Sequence, residues 1–219
     1  MIPASRHRAI LSAVALLTIF AASAGRADPL VAAPATSATA AAPAAAPAAN
    51  PTAAAPVAPT DPAAAAKAGA LVNAAINMTN SEQAVKLLWQ ATDIDPSFQE
   101  AYIYLGLYYN SRSDFTNVIK VYQKMVKYRP NEVSAYLNIG EAYMSFSPAK
   151  MTQALPYYQK AYQIDPNSAF AALRIGEILA HQGNRDDAIR YLRQASAAGA
   201  KHPTIAAEAQ KVLSEMGAS

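Results

Sequence analysis

No cysteine occurs anywhere in the 219 residues. That excludes disulfides, thiolate nucleophiles and cysteine-based metal sites together, and with them a lipid-modified N-terminal cysteine as an anchor. Histidine is nearly as scarce. His181 and His202 stand far apart, without metal-ligand spacing, and His7 sits in the basic N-terminus. There is no glycine-rich loop to cradle phosphate and no serine elbow. Charged residues make up only 15% of the chain, and the formal net charge is +3. Three of the 18 Lys+Arg (Arg6, Arg8, Arg26) and two of the 15 Asp+Glu (Asp28, Asp61) precede residue 65, which leaves 15 against 13. So even a balance does not make the electrostatic footprint of a nucleic-acid binder. The expectation is a protein with no catalytic residues, no metal, no cofactor and no nucleic-acid partner.

Ala9–Ala24 is an uncharged run of 16 residues, directly behind the basic Arg6-His7-Arg8. At about 1.5 Å per residue it spans roughly 24 Å, short of a hydrocarbon core of about 30 Å. Ala22-Ser23-Ala24 offers an A-x-A cleavage site and Gly25-Arg26-Ala27 a second. This is the pattern of a cleaved secretory signal over residues 1–27, with no stable membrane insertion afterwards. Periplasmic or secreted is the expected address, and an uncleaved inner-membrane anchor is the alternative. Residues 28–64 lack aromatics entirely, carry only Asp28 and Asp61 as charges, and hold eight of the fifteen prolines. Alanine favours helix, but proline recurs too often for one to persist, so a disordered Ala/Pro linker is expected here.

What can build a core lies further on, and it repeats. All twelve tyrosines fall between Tyr102 and Tyr191. Pro96, Pro130 and Pro166 recur at intervals of roughly 35 residues, the period of a helical-hairpin repeat. Each is followed by one pattern: Tyr102-x-x-Leu105-Gly106-x-x-Tyr109, Tyr136-x-x-Ile139-Gly140-x-x-Tyr143 and Ala172-x-x-Ile175-Gly176-x-x-Leu179. A second apolar-periodic segment follows each, through Val118, Tyr122 and Met125; Ala154, Tyr158 and Ala161; Ala188, Leu192 and Ala195. Ala84, Leu88 and Ala91 fill those places upstream of Pro96, whose own first helix, from Ala65, keeps Leu71 and Ala75 but lacks the glycine. A mid-helix glycine costs about 1 kcal/mol against alanine. Its recurrence at one repeat place marks a close approach of the partner helix. The prolines end each second helix. Ser97 with Glu100 reads as a capping box, and Asn131, Ser113 and Asn184 as N-caps. Trp89 is expected to pack between the first two repeats. Pro156 is expected in the first turn of its helix, after a lengthened turn in the third repeat.

These in-phase copies resemble the tetratricopeptide repeat family, of the exported bacterial type. The resemblance implies an all-α fold, an α-solenoid of about four helical hairpins at 65–98, 99–132, 133–168 and 169–202, with a capping helix at 203–216. A lone hairpin leaves one apolar face bare, so such repeats must stack. In that family the first helix of each repeat lines a concave groove that holds a partner peptide or helix. The groove places here are Ile103, Tyr104, Leu107 and Asn110 in the second repeat. They continue as Leu137, Asn138, Glu141 and Met144, then Phe170, Arg174, Glu177 and His181, with Asn73, Ile76 and Asn77 from the first repeat. One subset of the family clamps a terminal carboxylate with five Lys, Asn and Arg residues. Asn138 and Arg174 match two of those places, while Ile103, Leu107 and Phe170 take the other three, so that clamp is not expected.

The implied function is a non-enzymatic adaptor, scaffold or assembly factor whose partner is another envelope protein. The alternative is glycan or peptidoglycan engagement through tyrosines outside the hairpin core (Tyr104, Tyr108, Tyr128, Tyr157, Tyr162, Tyr191) and a basic stripe of Lys120, Lys124, Lys127 and Arg129.

Overall fold

The computed structural model describes residues 61–147, 150–199 and 201–218. The expected signal at 1–27 and nearly all of the expected linker at 28–64 lie outside the described residues. Among those described there are nine helices and no strand: α1 (Pro62–Ile76), α2 (Ser81–Ile94), α3 (Gln99–Asn110), α4 (Phe115–Tyr128), α5 (Val133–Phe146), α6 (Met151–Ile164), α7 (Ala169–His181), α8 (Arg185–Ala197) and α9 (Pro203–Glu215). Each helix packs on its neighbours in sequence, which makes four hairpins and a last helix, as the repeat pattern requires. No helix among the described residues is long and apolar enough to cross a membrane.

α1 begins at Pro62, a little ahead of the expected Ala65. Asp61 caps it by accepting from the Ala63 amide at 3.0 Å, and proline at the first helical place gives up an amide that would have had no partner anyway. The mid-helix glycines are close approaches, as expected, and the neighbour is a side chain of the second helix in the same hairpin. A Cβ on Gly140 would lie 2.6 Å from the Tyr158 ring, one on Gly176 would lie 2.6 Å from Leu192 Cγ, and one on Gly106 would overlap the Tyr122 ring. The ring sits in the notch that the missing side chain leaves. In α1 the glycine place holds Val72, with Leu88 at the ring's place, both buried in one core. Tyr102 and Tyr136, which open the repeat motif, donate their hydroxyls to the carbonyls of Pro96 (2.9 Å) and Pro130 (3.0 Å). Each repeat is thus tied to the turn before it.

The core runs as three linked clusters. The first joins α1 to α5, the second α5 to α8, and the third α7 to α9 through Leu173, Leu192 and Leu213. The last helix belongs to that core: Ala206, Ala209 and Leu213 are buried against α7 and α8.

Several local expectations fail. Ser97 does not cap α3; Phe98 holds that place without a side-chain bond, while Ser97 donates from its amide and hydroxyl to Asp95 Oδ1, both at 2.8 Å. The Asp-Pro pair has set an Asx turn instead. The cap of α4 is Asp114, not Ser113, accepting from the Asn117 amide at 3.1 Å. α5 is preceded by Glu132, not Asn131; Asn184 does hold the cap of α8, but its side chain donates to Asp187 at 3.0 Å and makes no bond to the helix amides. Pro156 is the sixth residue of α6, beyond the first turn. There it removes the amide that would have met the Thr152 carbonyl.

Ser113 instead sits in the α3–α4 turn with φ of +55°, at the repeat place that Gly183 fills in the α7–α8 turn with φ of +79°. A left-handed serine carries a steric cost that glycine escapes. Ser113→Gly is therefore expected to raise stability by up to about 1 kcal/mol, read as a shift in urea midpoint at constant slope. No shift, or a loss, would show that this turn is relaxed as it stands.

Candidate functional site

Counting from the mid-helix glycines, one row of places along the first helices reads Ala70, Tyr104, Asn138, Arg174 and, in α9, Glu208. A second reads Asn73, Leu107, Glu141, Glu177 and Lys211; a third reads Ile76, Asn110, Met144 and Ala180. The rows share one face because residues three and four apart on a helix are neighbours, and the repeat register carries them from helix to helix. Ion pairs linking α5, α7 and α9 show the first helices meeting there.

Most of the expected groove residues reach this face, though they do not share one environment. Tyr104 is 37% exposed, Asn110 is exposed, and Ile103 and Leu107 are half-buried. Ile76, at 48%, and Met78, at 41%, extend the apolar end. Asn138 donates to the Ser134 carbonyl of its own helix at 2.7 Å, and Met144 is half-buried against the core. Leu137 differs from expectation. It is 5% exposed and belongs to the core between α5 and α7, so it offers a partner nothing. The third row runs through Ala180, leaving His181 exposed one place beyond it at the end of α7.

The other end is an ion network around Arg174. Its Nε donates to Glu141 Oε1 at 3.0 Å, one terminal nitrogen donates to Glu177 Oε2 at 2.8 Å, and the same nitrogen lies 3.8 Å from Glu208 Oε1. The guanidinium also stands 4.9 Å over Phe170, whose ring meets Tyr158 edge-on at 6.5 Å. Tyr158, fully buried, donates its hydroxyl to Glu141 at 2.5 Å. Burial, then the Glu141 charge, push the Tyr158 hydroxyl well above its ordinary value, so it stays a donor. Burial works against the Arg174 charge, but Glu141 and Glu177 outweigh it and its pKa rises. Burial raises Glu177 more than the Arg174 bond lowers it. Arg174 is thus satisfied within the chain, which removes it from any carboxylate clamp. Glu208 and Lys211 escape the sequence reading because α9 reads there as a cap. The available signal was Pro203: as a first-turn residue, not a preceding breaker, it puts Glu208 in register with Arg174.

The basic stripe is occupied too. Lys124 bonds Asp93 at 2.5 Å and Thr92 at 2.9 Å, Lys120 lies 5.7 Å over the Trp89 ring, and Arg129 reaches Glu132, Gln99 and the Ser97 carbonyl. Trp89 packs at the α2–α3 junction, between the first two repeats as expected, donating to Tyr109 at 3.2 Å. Of the six outlying tyrosines, Tyr157 stacks on Tyr143, Tyr162 meets Tyr191 edge-on, and Arg112 covers Tyr108. Tyr104 is the exposed one. No group of three metal-ligating side chains occurs among the described residues.

Residues 149–216 match the model of the tetratricopeptide repeat family. No curated protein matches the chain. Among solved structures the chain is similar to MamA (TM-score 0.53, 22% identity, covering 62% of this chain and 80% of that one). It is also similar to TTC0263, a thermophilic TPR protein of Thermus thermophilus (0.50, 21%, 69% and 84%), and to YrrB, described as a TPR protein with an unusual peptide-binding site (0.52, 19%, 68% and 77%). At these identities the likeness is one of fold.

Proposed function

We propose that this chain, whose residues 149–216 match the tetratricopeptide repeat model, is a non-enzymatic adaptor, scaffold or assembly factor of the bacterial cell envelope. It holds a peptide or helix of another envelope protein against the face formed by α3, α5 and α7. Residues 1–27 export it, and the Ala/Pro stretch at 28–64 gives the repeat domain reach. The carrying observation is the exposure of Tyr104 on that face. The other tyrosines are buried or half-buried, whereas Tyr104 is exposed beside Leu107 and Asn110. An exposed tyrosine flanked by a half-buried leucine is an interface anchor of the kind that carries binding energy. The peptide-binding description of YrrB adds weight at the level of fold.

The glycan reading has less support. It needs free tyrosine faces and free cations, and stacking partners and ion pairs occupy most of both.

Tyr104→Ala combined with Leu107→Ala tests the proposal. Both side chains are at least partly exposed, so the double variant should melt within a few degrees of wild type. In-cell cross-linking of the tagged protein should then recover fewer partners than wild type, with loss of those whose capture needs the groove. Recovery of every wild-type partner at wild-type yield would overturn the proposal. Sedimentation with purified wall material in the absence of protein partners would instead support the glycan reading.

A further inference from the structure

The three rows change character along the repeats. At α1 and α3 they are apolar and amide: Ile76, Tyr104 and Leu107 with Asn73 and Asn110. At α5, α7 and α9 they are charged, and the charge does not balance. Three carboxylates, Glu141, Glu177 and Glu208, surround the one guanidinium of Arg174. Lys211 brings its own partner, Glu215 at 3.9 Å, so counting that pair leaves the excess at two negative charges. The excess is also accessible. The Glu208 side chain is 50% exposed and that of Glu141 38%.

We propose that this face binds its partner in one polarity: the partner's apolar side chains seat at Ile76, Tyr104 and Leu107, and a lysine or arginine seats between Glu141 and Glu208. This deepens the groove reading above and rests on it. Two considerations carry it. A cation entering beside Arg174 meets a net negative field from side chains the fold already holds in place, so little ordering is required on the protein side. An anion would meet two uncompensated carboxylates, and like-charge juxtaposition at an interface is a strong selector against it. The spacing is also fixed. Taking about 10 Å as the step between first helices of successive repeats, α3 to α7 is about 20 Å, roughly six residues of extended chain. The partner segment therefore carries an aliphatic or aromatic residue and a Lys or Arg about six residues apart.

The test is selection of random dodecapeptides displayed on phage against the full chain, at low salt, followed by anisotropy titration of the labelled winners. Wild type should enrich peptides pairing an apolar residue with a basic one at that spacing. Glu208→Lys with Glu141→Gln turns the local excess from two negative charges to one positive, while keeping an acceptor for the Tyr158 hydroxyl. It should weaken the winners at least fivefold and flatten their salt dependence. A wild-type thermal melt for this variant shows that the loss is one of charge and not of fold; a collapsed melt moves the test to Glu208→Gln alone, with a loss of about threefold expected. Winners that lose binding on Tyr104→Ala yet carry no basic residue overturn the polarity and leave the groove reading standing. Winners indifferent to Tyr104→Ala, or no winners at all, overturn both.

Discussion

Arg174→Ala is expected to lower the stability of the repeat domain by about 2 kcal/mol at neutral pH, and by much less near pH 4. The guanidinium is 21% exposed and stands among three carboxylates from α5, α7 and α9, so its removal leaves Glu141, Glu177 and Glu208 facing one another. Breaking a fully buried pair costs about 3–5 kcal/mol; with Glu141 and Glu208 more than a third exposed, solvent screening brings that down. The pH dependence follows from the sign of the shifts. Without the cation, the half-buried Glu177 keeps its burial and its like-charged neighbours and loses the one group that lowers it, so it is more easily protonated in the folded than in the unfolded chain. A raised folded pKa means stability that is intact below the unfolded value and is lost as pH rises through the folded one. Glu177 already lies on that side in the intact protein, because its burial outweighs its bond to Arg174. The gap between variant and wild type should accordingly widen from pH 4 to pH 7. Urea melts at both values measure it, and Arg174→Lys should recover part of the loss by returning the charge without the fork. A gap equal at both pH values would mean that Arg174 acts through its packing on Phe170 and not through its charge.

This network shows where the sequence stops being informative. The helix count and the hairpin order were legible because apolar spacing, mid-helix glycine and terminal proline repeat in phase, and each repeat confirms the phase of the last. The role of Gly106, Gly140 and Gly176 could be inferred from that recurrence alone. The side chain that fills each notch could not, since Tyr122, Tyr158 and Leu192 come from the following helix and only packing brings them over the glycine. The caps went wrong at Ser97, Ser113 and Asn131 because short polar residues cluster in these turns, and only backbone direction decides which one faces the helix amides. Leu137 illustrates the same limit on the candidate site. Repeat register places it beside Ile103, but the neighbouring α7 packs over it. Arg174 and Glu177 enter the groove from the sequence as separate polar groups. That Arg174 also reaches Glu141 and Glu208 across helices is tertiary information.

The second hairpin can be given the first hairpin's answer to the same packing problem. Gly106 and Tyr122 form an interlocked pair, whereas Val72 and Leu88 hold the corresponding places one repeat earlier. Gly106→Val alone should lose about 3 kcal/mol, because its Cβ would clash with the hydroxyl end of the buried Tyr122 ring. Tyr122→Leu alone should lose about 2–3 kcal/mol, as the ring's volume vanishes and leaves a void over the glycine. Together they exchange one fitted pair for another, so the double variant should be at least about 1 kcal/mol more stable than the two losses summed. Full recovery is not expected. In the fourth hairpin Leu192 already faces Gly176, yet a Cβ there would still stand 2.6 Å from Leu192 Cγ, so a leucine does not by itself open the space. Helix separation, set by every side chain along the seam, must also relax. A double-mutant cycle by urea denaturation reads the coupling directly. Strict additivity would show that ring and glycine occupy one another's space without depending on each other, and that the spacing of each hairpin is held elsewhere, at Leu105, Val118 and Met125.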